Sequence, residues 1–499
     1  MVLKIILWIF SLISVLNSQR SQYDENKLYC LSDEIDNETC IYADINDPME
    51  LFAKIPDQNN LDAQNIKRIK FSNCYLDNLN SQLLKSFSNV EEIHAANQYI
   101  IRIDQNDIGS SESLKKLNLS FNKIHRLSAD AITGIKNLEN LDFSHNKLER
   151  IMLNAFKFNV NLKYLNLSHN EIVSLDRQFF DEVRSVEVLK LDNNRITEIT
   201  GNFDRYISVT RELYLQNNYL KSIDSQLLKN PTYLDLSLNK LIELDLKSAR
   251  TTELRVVGNE LRKLSIGLKL QKLDASENRF YYFRIISEGE SNNLVHMNLS
   301  YIKYNMNDEK IFIDFRKFDK LRILDLSDNN LISFDITDIS YGVSRTLEIL
   351  NLNNAHLKYI KNWEKIGFLL PNLKQLDIFD NIFKCDQLEK MIPYLLTLNI
   401  SLPGYDSSDN GTYISRSCMR YPPDMTEKPF INVKVDHSLF IWIVVIFFIC
   451  GILITSIVYI NKRFSIFQKI YYSAKVNPNK PRGSQLLDEE KANDPENTF

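Results

Sequence analysis

The sequence predicts an α/β solenoid with a parallel β-sheet on its concave face, followed by one transmembrane helix. Three observations predict it: leucines that recur at a fixed spacing in the middle of the chain, a short apolar segment at the N-terminus, and an uncharged apolar segment near the C-terminus. Only 12 glycines and 12 prolines occur in 499 residues, which excludes collagen-like and proline-rich disordered chains. The formal net charge of −4 gives no basic footprint for nucleic acid.

The chain begins with the features of a secretory signal peptide. Lys4 precedes an apolar run from Ile5 to Leu16, and the small residue Ser18 follows. At about 1.5 Å per residue this run is too short to cross a bilayer core of about 30 Å. We therefore expect residues 1–18 to be a cleaved signal peptide. A non-cleaved anchor is the alternative.

One template is repeated through the middle of the chain. The segment LKKLNLSFNKI begins at Leu114, and similar segments begin at Leu138, Leu162 and Val186, each 24 residues after the last. Six identical intervals are not expected by chance, and the template LxxLxLxxNxL is that of a leucine-rich repeat. The template fits at starts 66, 90, 114, 138, 162, 186, 210, 231, 251, 270, 294, 321, 347 and 373.

The template predicts a horseshoe of stacked repeats. Positions 4 and 6 alternate inward on a short strand, and no repeat can bury its apolar face alone. Ten repeats carry asparagine at position 9, where the side-chain amide can satisfy backbone groups of neighbouring turns. The remaining four repeats carry Cys74, Gln98, Ile302 and Ala355 at this position. We expect Cys74 to be structural rather than reactive.

The length of a repeat predicts what connects its strand to the next one. The repeats between residues 210 and 269 are short, so we expect extended segments on their convex side. The repeats after residue 294 are longer, so we expect a helical turn or a small loop in them.

The second apolar segment predicts a single membrane crossing. Leu439 to Ile460 carries no charge and covers about 33 Å as a helix. Lys462 and Arg463 follow at once, which places the C-terminus in the cytosol. We expect a single-pass type I plasma-membrane protein with an extracellular N-terminus, a stalk over residues 421–438 and a tail over residues 461–499. That tail is too short for a folded signalling domain.

The sequence carries no recognisable catalytic or cofactor motif. It contains no glycine-rich phosphate loop and neither Cys-x-x-Cys nor His-x-x-x-His. His145 and His169 recur because the repeat recurs, so we interpret them as exposed repeat positions rather than metal ligands. We therefore predict a protein that is not an enzyme and that uses no cofactor, metal or nucleic acid.

Two groups of apolar side chains mark candidate ligand-binding positions on the concave sheet. Template positions 3, 5 and 7 project from that sheet and carry mixed charges elsewhere along the chain. Exposed aromatic and aliphatic groups on a rigid sheet are typical anchors for protein partners. The alternative for the first group, across repeats five to eight, is packing of its members against each other and against a glycan. The candidates are Tyr164, Val188, Tyr214 and Tyr233 in the first group and Ile323, Ile349 and Phe379 in the second.

Six N-x-S/T sequons predict a glycoprotein if the chain is exported. Three of them lie at position 5 of a repeat, where the consensus LNLS produces them, so their occurrence does not establish their use. Glycans there would obstruct the concave surface and move binding to the edges of the repeats. The sequons begin at Asn37, Asn118, Asn166, Asn298, Asn399 and Asn410.

Cysteines flank the repeats at both ends. Cys30 and Cys40 precede the first repeat, and export makes a disulfide between them expected. The segment NIFKCDQL, which contains Cys385, resembles the opening of a leucine-rich repeat C-terminal cap, and the resemblance implies a disulfide with Cys418. We assign residues 19–65 to an N-terminal cap, 66–384 to about fourteen repeats and 385–420 to a C-terminal cap.

Taken together, these features resemble the extracellular leucine-rich repeat transmembrane proteins of insects and other animals. That class includes adhesion molecules, Toll-like receptors and the leucine-rich immune proteins of mosquitoes, some of them membrane-bound. The resemblance implies a surface receptor or co-receptor that binds an extracellular or cell-surface protein, with a role in innate immunity. The alternative is an adhesion molecule that binds its own copy or another surface protein. A homodimer fits both readings.

Overall fold

The computed structural model describes residues 31–33, 36–56, 61–79, 81–105, 107–203, 208–280, 285–287, 293–302, 315–405 and 418–419. The predicted signal peptide, Cys30, Asn410, the stalk, the apolar segment 439–460 and the tail lie outside these residues. In the described ranges, no helix is both long enough and apolar enough to cross a membrane.

The main element is one sheet of sixteen strands, which we call the long sheet. An antiparallel hairpin, Leu31–Asp33 with Asp36–Ala43, begins it. Fourteen parallel strands follow, and each begins at position 3 of one repeat of the template. The predicted parallel-sheet solenoid is therefore confirmed. The fourteen strands are Arg68–Ser72, Glu92–His94, Lys116–Asn118, Asn140–Asp142, Tyr164–Asn166, Val188–Lys190, Glu212–Tyr214, Tyr233–Asp235, Glu253–Arg255, Lys272–Asp274, His296–Asn298, Ile323–Asp325, Ile349–Asn351 and Gln375–Asp377.

The core lies behind the long sheet and is continuous from the first cap to the last. In the fourth repeat, positions 1, 4, 6 and 11 are Leu138, Leu141, Phe143 and Leu148, and each side chain is 0% exposed. Strand alternation turns positions 4 and 6 inward, and burial of each such side chain contributes roughly 1.5–3 kcal/mol. The apolar positions of the template are thus the positions whose side chains form the core.

Short side sheets and helices connect the strands of the long sheet. The helical segments are Pro48–Lys54, Leu61–Gln64, Gln82–Ser86, Arg177–Glu182, Phe315–Lys317, Ile336–Val343, Trp363–Lys365, Ile366–Leu369 and Cys385–Thr397. The side-sheet strands are Arg102–Ile103 with Arg126–Leu127, Ser174–Asp176 with Glu198–Thr200, Glu243–Asp245 with Lys263–Ile266 and Ile285–Ser287, Ser333–Asp335 with Tyr359–Lys361, and Phe383–Lys384 with Cys418–Met419.

Repeat length determines these connections as expected. The short repeats carry the extended strands Glu243–Asp245 and Lys263–Ile266, which pair in parallel. The longer repeats after residue 294 carry helical turns, of which Ile336–Val343 is the longest before the C-terminal cap. Both expectations about the convex side are therefore confirmed.

The position-9 asparagines join neighbouring repeats through buried hydrogen bonds. Asn146 Nδ2 donates to the carbonyl oxygen of Leu119 in the preceding repeat (2.9 Å) and to that of Phe143 in its own (3.0 Å). Its Oδ1 accepts from the backbone N–H of Ile124 (2.9 Å). Each such side chain satisfies backbone groups that the turn would otherwise leave unpaired. The role predicted for position 9 is confirmed.

Cys74 occupies position 9 of the first repeat as a buried free thiol. Its Sγ lies 3.3 Å from the carbonyl oxygens of Tyr42 and Ser72, to which it donates. Burial raises the pKa of the thiol. These contacts agree with a structural role, since the nucleophilic form of cysteine is the thiolate.

In every repeat, the chain leaves the strand through a residue at position 8 whose backbone is in the left-handed conformation. The backbone φ there lies between 47° and 66° in all fourteen repeats. Asparagine, aspartate and glycine tolerate this region best, and they occupy eight of the positions. The other six are Phe121, His145, His169, Leu238, Glu277 and Tyr301. The recurring turn therefore holds aromatic and charged side chains in a conformation that they rarely adopt alone.

The two ends of the repeats are closed by caps that contain disulfides. Cys40 is disulfide-bonded, and its partner lies outside the described residues, so the pairing with Cys30 stays a prediction. Cys385 and Cys418 form the disulfide that the resemblance implies. A parallel bridge between Gln375 and Ser401 continues the long sheet into the C-terminal cap.

Candidate protein-binding surface

The first predicted group of apolar residues forms one cluster on the outer face of the long sheet, which we call the sheet face. Tyr164 and Val188 are paired in register on adjacent strands. Tyr214 and Tyr233 lie on the next two strands, and their ring centroids are 5.0 Å apart at a tilt of 39°. All four side chains are half-buried. We call Tyr164, Val188, Tyr214 and Tyr233 the tyrosine cluster.

A lysine completes the tyrosine cluster. Lys190 Nζ lies 5.6 Å from the ring centroid of Tyr164 and 5.4 Å from that of Tyr214. An ammonium group within about 6 Å of an aromatic ring is attracted by the ring quadrupole. Lys190 therefore links two tyrosines from strands that are not adjacent, and it places one cation inside an otherwise aromatic patch.

Acidic groups on the same strands act on two of the tyrosine hydroxyls. Tyr214 Oη donates to Glu212 Oε2 at 2.9 Å, and burial together with this carboxylate raises the pKa of Tyr214. Burial and the nearby Asp235 likewise raise the pKa of Tyr233. The single O–H of Tyr214 is donated to Glu212, so the hydroxyl oxygen of Tyr214 can serve a ligand as a hydrogen-bond acceptor.

The second predicted group is assembled only in part. Ile323 and Ile349 are neighbours in register on adjacent strands, and both are half-buried. Phe379 lies beyond the end of the strand Gln375–Asp377 and packs partly against the core. The structure therefore presents Ile323 and Ile349 as a pair on the sheet face. Phe379 lies beyond the end of its strand and is not part of this pair.

The sequons differ in how much room they leave for a glycan. Asn37 and Asn399 are exposed, and Asn118 and Asn298 are half-buried on the sheet face. Asn166 is only 8% exposed, and its Nδ2 donates to Asp142 Oδ2 at 3.2 Å. Glycosylation at Asn166 would crowd this contact. Of the five sequons that the structure describes, Asn166, beside the tyrosine cluster, therefore leaves the least room for a glycan.

Sequence reasoning missed two features of this surface. The positions of Lys190 and Glu212 in the template were visible, but their contacts with tyrosines in neighbouring repeats depend on the register of the stacked strands. The second feature is a row of rings in the turns beside the sheet, stacked at position 8 and tilted at position 10. Its signal was the recurrence of aromatic residues and histidine at those positions in successive repeats.

The histidines of that row are not arranged for metal binding. His169 is exposed and His145 half-buried, and their rings stack on one another at 4.0 Å between centroids. Within the ranges that the structure describes, no three histidine, cysteine, aspartate or glutamate side chains converge as metal ligands. What the arrangement offers instead is aromatic surface bordered by charge.

Comparison with known proteins supports the repeat architecture. The leucine-rich repeat pattern matches residues 112–172, 137–196 and 160–206, and a second form of the pattern matches residues 320–341. No curated protein sequence matches the chain significantly. The chain thus contains leucine-rich repeats, by the sequence pattern in these ranges and by the strands that the pattern forms.

Solved structures with similar folds share little sequence with the chain. A leucine-rich repeat protein of Leptospira interrogans matches 73% of this chain and 89% of its own, with 19% identity and a TM-score of 0.51. TLR13, in its complex with ssRNA13, matches 70% of this chain and 51% of its own, with 20% identity and a TM-score of 0.53.

A third structure, the LRIM1/APL1C complex, matches 71% of this chain and 55% of its own, with 22% identity and a TM-score of 0.44. The chain therefore spans about half the length of the TLR13 chain and of the matched LRIM1/APL1C chain. At these identities the first two similarities, with TM-scores of 0.51 and 0.53, show the solenoid fold, which serves typically as a non-catalytic protein-binding scaffold.

Proposed function

We propose that the chain is a cell-surface receptor or co-receptor that binds a protein ligand through the sheet face and has no catalytic activity of its own. The tyrosine cluster is the observation that carries the proposal. Partly exposed aromatic side chains, held rigidly on a sheet beside a lysine, have the composition of an interface hot spot. Three tyrosines offer apolar area together with polar hydroxyl groups.

Attachment to the plasma membrane forms the second part of the proposal. It rests on the uncharged segment from Leu439 to Ile460 and on the cations that follow it. A role in innate immunity rests on the resemblance to membrane-bound leucine-rich immune proteins, and fold similarity alone does not identify the ligand.

A mixed-cell aggregation assay tests this function. One fluorescent population expresses the full chain and a second population does not. Aggregates that contain both populations indicate a surface protein on the second cell, and the absence of aggregation at verified surface expression favours a soluble ligand or a partner in the same membrane. Aggregates of expressing cells alone would instead establish the adhesion alternative.

The tyrosine cluster is tested by the double substitution Tyr214→Ala with Tyr233→Ala. Loss of two aromatic anchors is expected to weaken binding by about 2–4 kcal/mol, while the thermal midpoint changes little because both side chains are half-buried on the surface. Tyr359→Ala is the matched control, since Tyr359 is an exposed tyrosine beside a lysine on a side sheet. Equal binding by the double variant and the control would remove the cluster from the proposal.

A further inference from the structure

Cations collect on one side of repeats two to four, next to the turns that follow the long sheet. Template positions 10, 12 and 13 of these repeats are exposed, whereas positions 11 and 14 pack against the core. Of the nine exposed side chains, five are cations and Glu149 is the one carboxylate, so their net charge is +4 with His125 neutral. We call these nine residues the basic flank, and the cations in repeats three and four the central cations. The cations are Arg102 in repeat two and the central cations Lys123, Arg126, Lys147 and Arg150.

The central cations are not neutralised by ion pairs. Arg102, at the border of the flank, has Asp104 as its partner, with 2.9 Å between Nε and Oδ2. Lys123 Nζ lies 4.5 Å from the ring centroid of Tyr99. Among the residues that the structure describes, no carboxylate forms an ion pair with any of the central cations. The centre of the basic flank therefore carries four positive charges against the single negative charge of Glu149.

Elsewhere the chain pairs its exposed charges from repeat to repeat. At position 10 of repeats five and six, Glu171 Oε2 lies 3.0 Å from Arg195 Nη2. At position 2, lysine or arginine alternates with glutamate through seven successive repeats, with ion pairs such as Lys115 to Glu91 at 2.8 Å. The basic flank lacks this alternation, because cation follows cation at positions 10 and 13 of repeats three and four.

Like charges lie opposite each other in the basic flank. Arg102 and Arg126 are paired in register on two parallel strands of a side sheet, and Arg150 occupies the same template position one repeat further on. Like charges directly opposite each other on neighbouring strands are destabilising. The unbound flank therefore contains repulsion that a bound anionic group relieves.

Backbone hydrogen bonds hold the segments of the flank side by side. The N–H of Lys123 donates to the carbonyl oxygen of Ile100, and the N–H of Lys147 donates to that of Ile124, both at 2.8 Å. Neighbouring segments lie about 4.8 Å apart, and three residues of extended chain cover about 10 Å. The backbone positions of the central cations therefore fall within an area of about 5 by 10 Å, so one extended ligand can contact all four.

The composition of the flank favours a polyanion over an acidic protein surface. Protein interfaces are organised around an apolar centre from which lysine is depleted. At the exposed positions 10, 12 and 13 of repeats three and four, the central cations are accompanied only by His125 and Glu149. A ligand of this area is therefore held by charge and hydrogen bonds rather than by an apolar anchor.

The same positions favour a polysaccharide over a nucleic acid. Single-stranded nucleic acid is held by successive aromatic platforms as well as by cations. Between the central cations the flank offers one imidazole, that of His125, and the ammonium group of Lys123 lies over the ring of Tyr99. The flank therefore provides no series of free rings on which successive bases stack.

We propose that the basic flank binds a sulfated polysaccharide through its sulfate groups. Guanidinium groups such as those of Arg126 and Arg150 donate paired hydrogen bonds to planar and tetrahedral oxyanions, and the two lysines add point charges. The proposal goes beyond the function proposed for the sheet face, because it concerns a separate surface and a different class of ligand. Binding at the flank leaves the tyrosine cluster free for a protein ligand.

The test uses the full chain, purified in an uncharged detergent, and four fluorescent probes. The first is a short heparin-derived oligosaccharide, and the second is the same oligosaccharide after removal of its sulfates. The third is a glutamate peptide and the fourth a single-stranded oligothymidine, each matched to the first in formal charge. Anisotropy titrations at about 0.05 M and about 0.2 M salt give the dissociation constants under weak and strong screening.

The sulfated oligosaccharide is expected to bind, and its dissociation constant to rise at least roughly tenfold between the two salt concentrations, because about four contacts release counterions. Removal of the sulfates is expected to weaken binding by at least about tenfold. The glutamate peptide and the oligothymidine are expected to bind more weakly than the sulfated probe. Tyr214→Ala with Tyr233→Ala leaves all of these values unchanged, which separates the flank from the sheet face.

Two matched double variants locate the site. Arg126→Gln with Lys147→Gln removes two central cations and is expected to weaken binding of the sulfated probe about tenfold at the lower salt concentration. Arg195→Gln with Lys240→Gln makes the same change in net charge at position 10 of repeats six and eight, outside the flank. This control is expected to weaken binding less than about twofold, because its charges lie farther from the bound sulfates than screening allows.

Thermal midpoints separate binding from folding. Removal of Arg126 and Lys147 relieves repulsion between like charges, so the midpoint of the double variant should equal or exceed that of the original chain. Arg150→Gln, expected to weaken binding about threefold, is a second variant in case the first is unstable.

Several results would overturn the proposal. Absence of binding by the sulfated probe, equal binding of the probe without sulfates, or equal losses in the two double variants would each do so. Tighter binding of the glutamate peptide would assign the flank to an acidic protein, and tighter binding of the oligothymidine would assign it to nucleic acid.

Discussion

At the scale of single residues, the solenoid depends on buried asparagines that serve two repeats at once. The template alone predicts this role, since a polar residue in an apolar repeat needs a local partner. The stacking of Phe121, His145 and His169 was not predictable in the same way. It depends on the left-handed φ at position 8 and on the lateral distance between turns, and the pattern of leucines predicts neither.

The asparagine argument gives a quantitative expectation. Asn146→Ala removes one side chain and leaves several buried backbone groups without partners, so we expect a loss of about 2–4 kcal/mol in the free energy of unfolding. Urea denaturation monitored by circular dichroism measures it. Asn137→Ala is the control, because Asn137 is half-buried and its hydrogen bond to Glu112 O (2.8 Å) lies at the surface; its cost should stay below ~1 kcal/mol. Similar losses of stability in both variants would contradict the role assigned to the buried asparagines.

At the scale of elements, alternating charges align the strands of the first seven repeats. Three ion pairs join successive position-2 residues along one edge of the long sheet, and Lys67 pairs with Glu38 of the first hairpin. The 24-residue period predicted where each strand begins and which convex segments are extended or helical. It did not reveal the charge ladder, because alternation between repeats is visible only when the repeats are superposed in register. The members of the ladder are Lys67, Glu91, Lys115, Glu139, Lys163, Glu187 and Arg211.

Reversing one charge tests the ladder. Glu139→Lys places three lysines in succession, with Lys115 and Lys163 on either side, and neighbouring like charges repel. We expect a small fall in the thermal midpoint that largely disappears at about 0.5 M salt, where screening shortens the Debye length. Glu149→Lys reverses an exposed glutamate of the same repeat outside the ladder. If both variants lose the same stability at low salt, the ladder does not act as a unit.

At the scale of the whole molecule, the caps protect the ends of a continuous core. The final strand of the repeats, Gln375–Asp377, bonds to Ser401 of the C-terminal cap, and the disulfide between Cys385 and Cys418 ties the far end of that cap to its helix. The resemblance to known caps implied this disulfide. Which backbone groups the cap would satisfy could not be predicted, since its sequence follows no repeat.

Removal of the cap disulfide should loosen the end of the solenoid first. Cys385→Ser with Cys418→Ser opens a loop of 33 residues, for which chain entropy gives a loss of about 3–4 kcal/mol. Stability in repeat proteins is largely local, so hydrogen exchange should accelerate in Gln375–Asp377 and remain unchanged in Asn140–Asp142. Uniform acceleration along all fourteen strands would show instead that the solenoid unfolds as one unit.

The candidate site also becomes clear only at this scale. Reading positions 3, 5 and 7 of the template located Tyr164, Val188, Tyr214 and Tyr233, and the structure brings them together across four strands. The same reading could not show that Lys190 lies between two rings, or that Phe379 lies apart from Ile323 and Ile349. Side-chain reach across a sheet depends on strand register, whereas the template gives only the direction in which each residue points.

Site-specific photocrosslinking on living cells tests the central claim, recognition of a protein by the sheet face, most directly. A photoreactive amino acid replaces Gln216, which is half-buried beside Tyr214 in the same repeat, and in a parallel sample it replaces Tyr359 on the side sheet. The account predicts a discrete protein adduct from position 216 that disappears in the Tyr214→Ala/Tyr233→Ala background, and none from position 359. Equal adducts from both positions, or an adduct at 216 that survives loss of the two tyrosines, would contradict it.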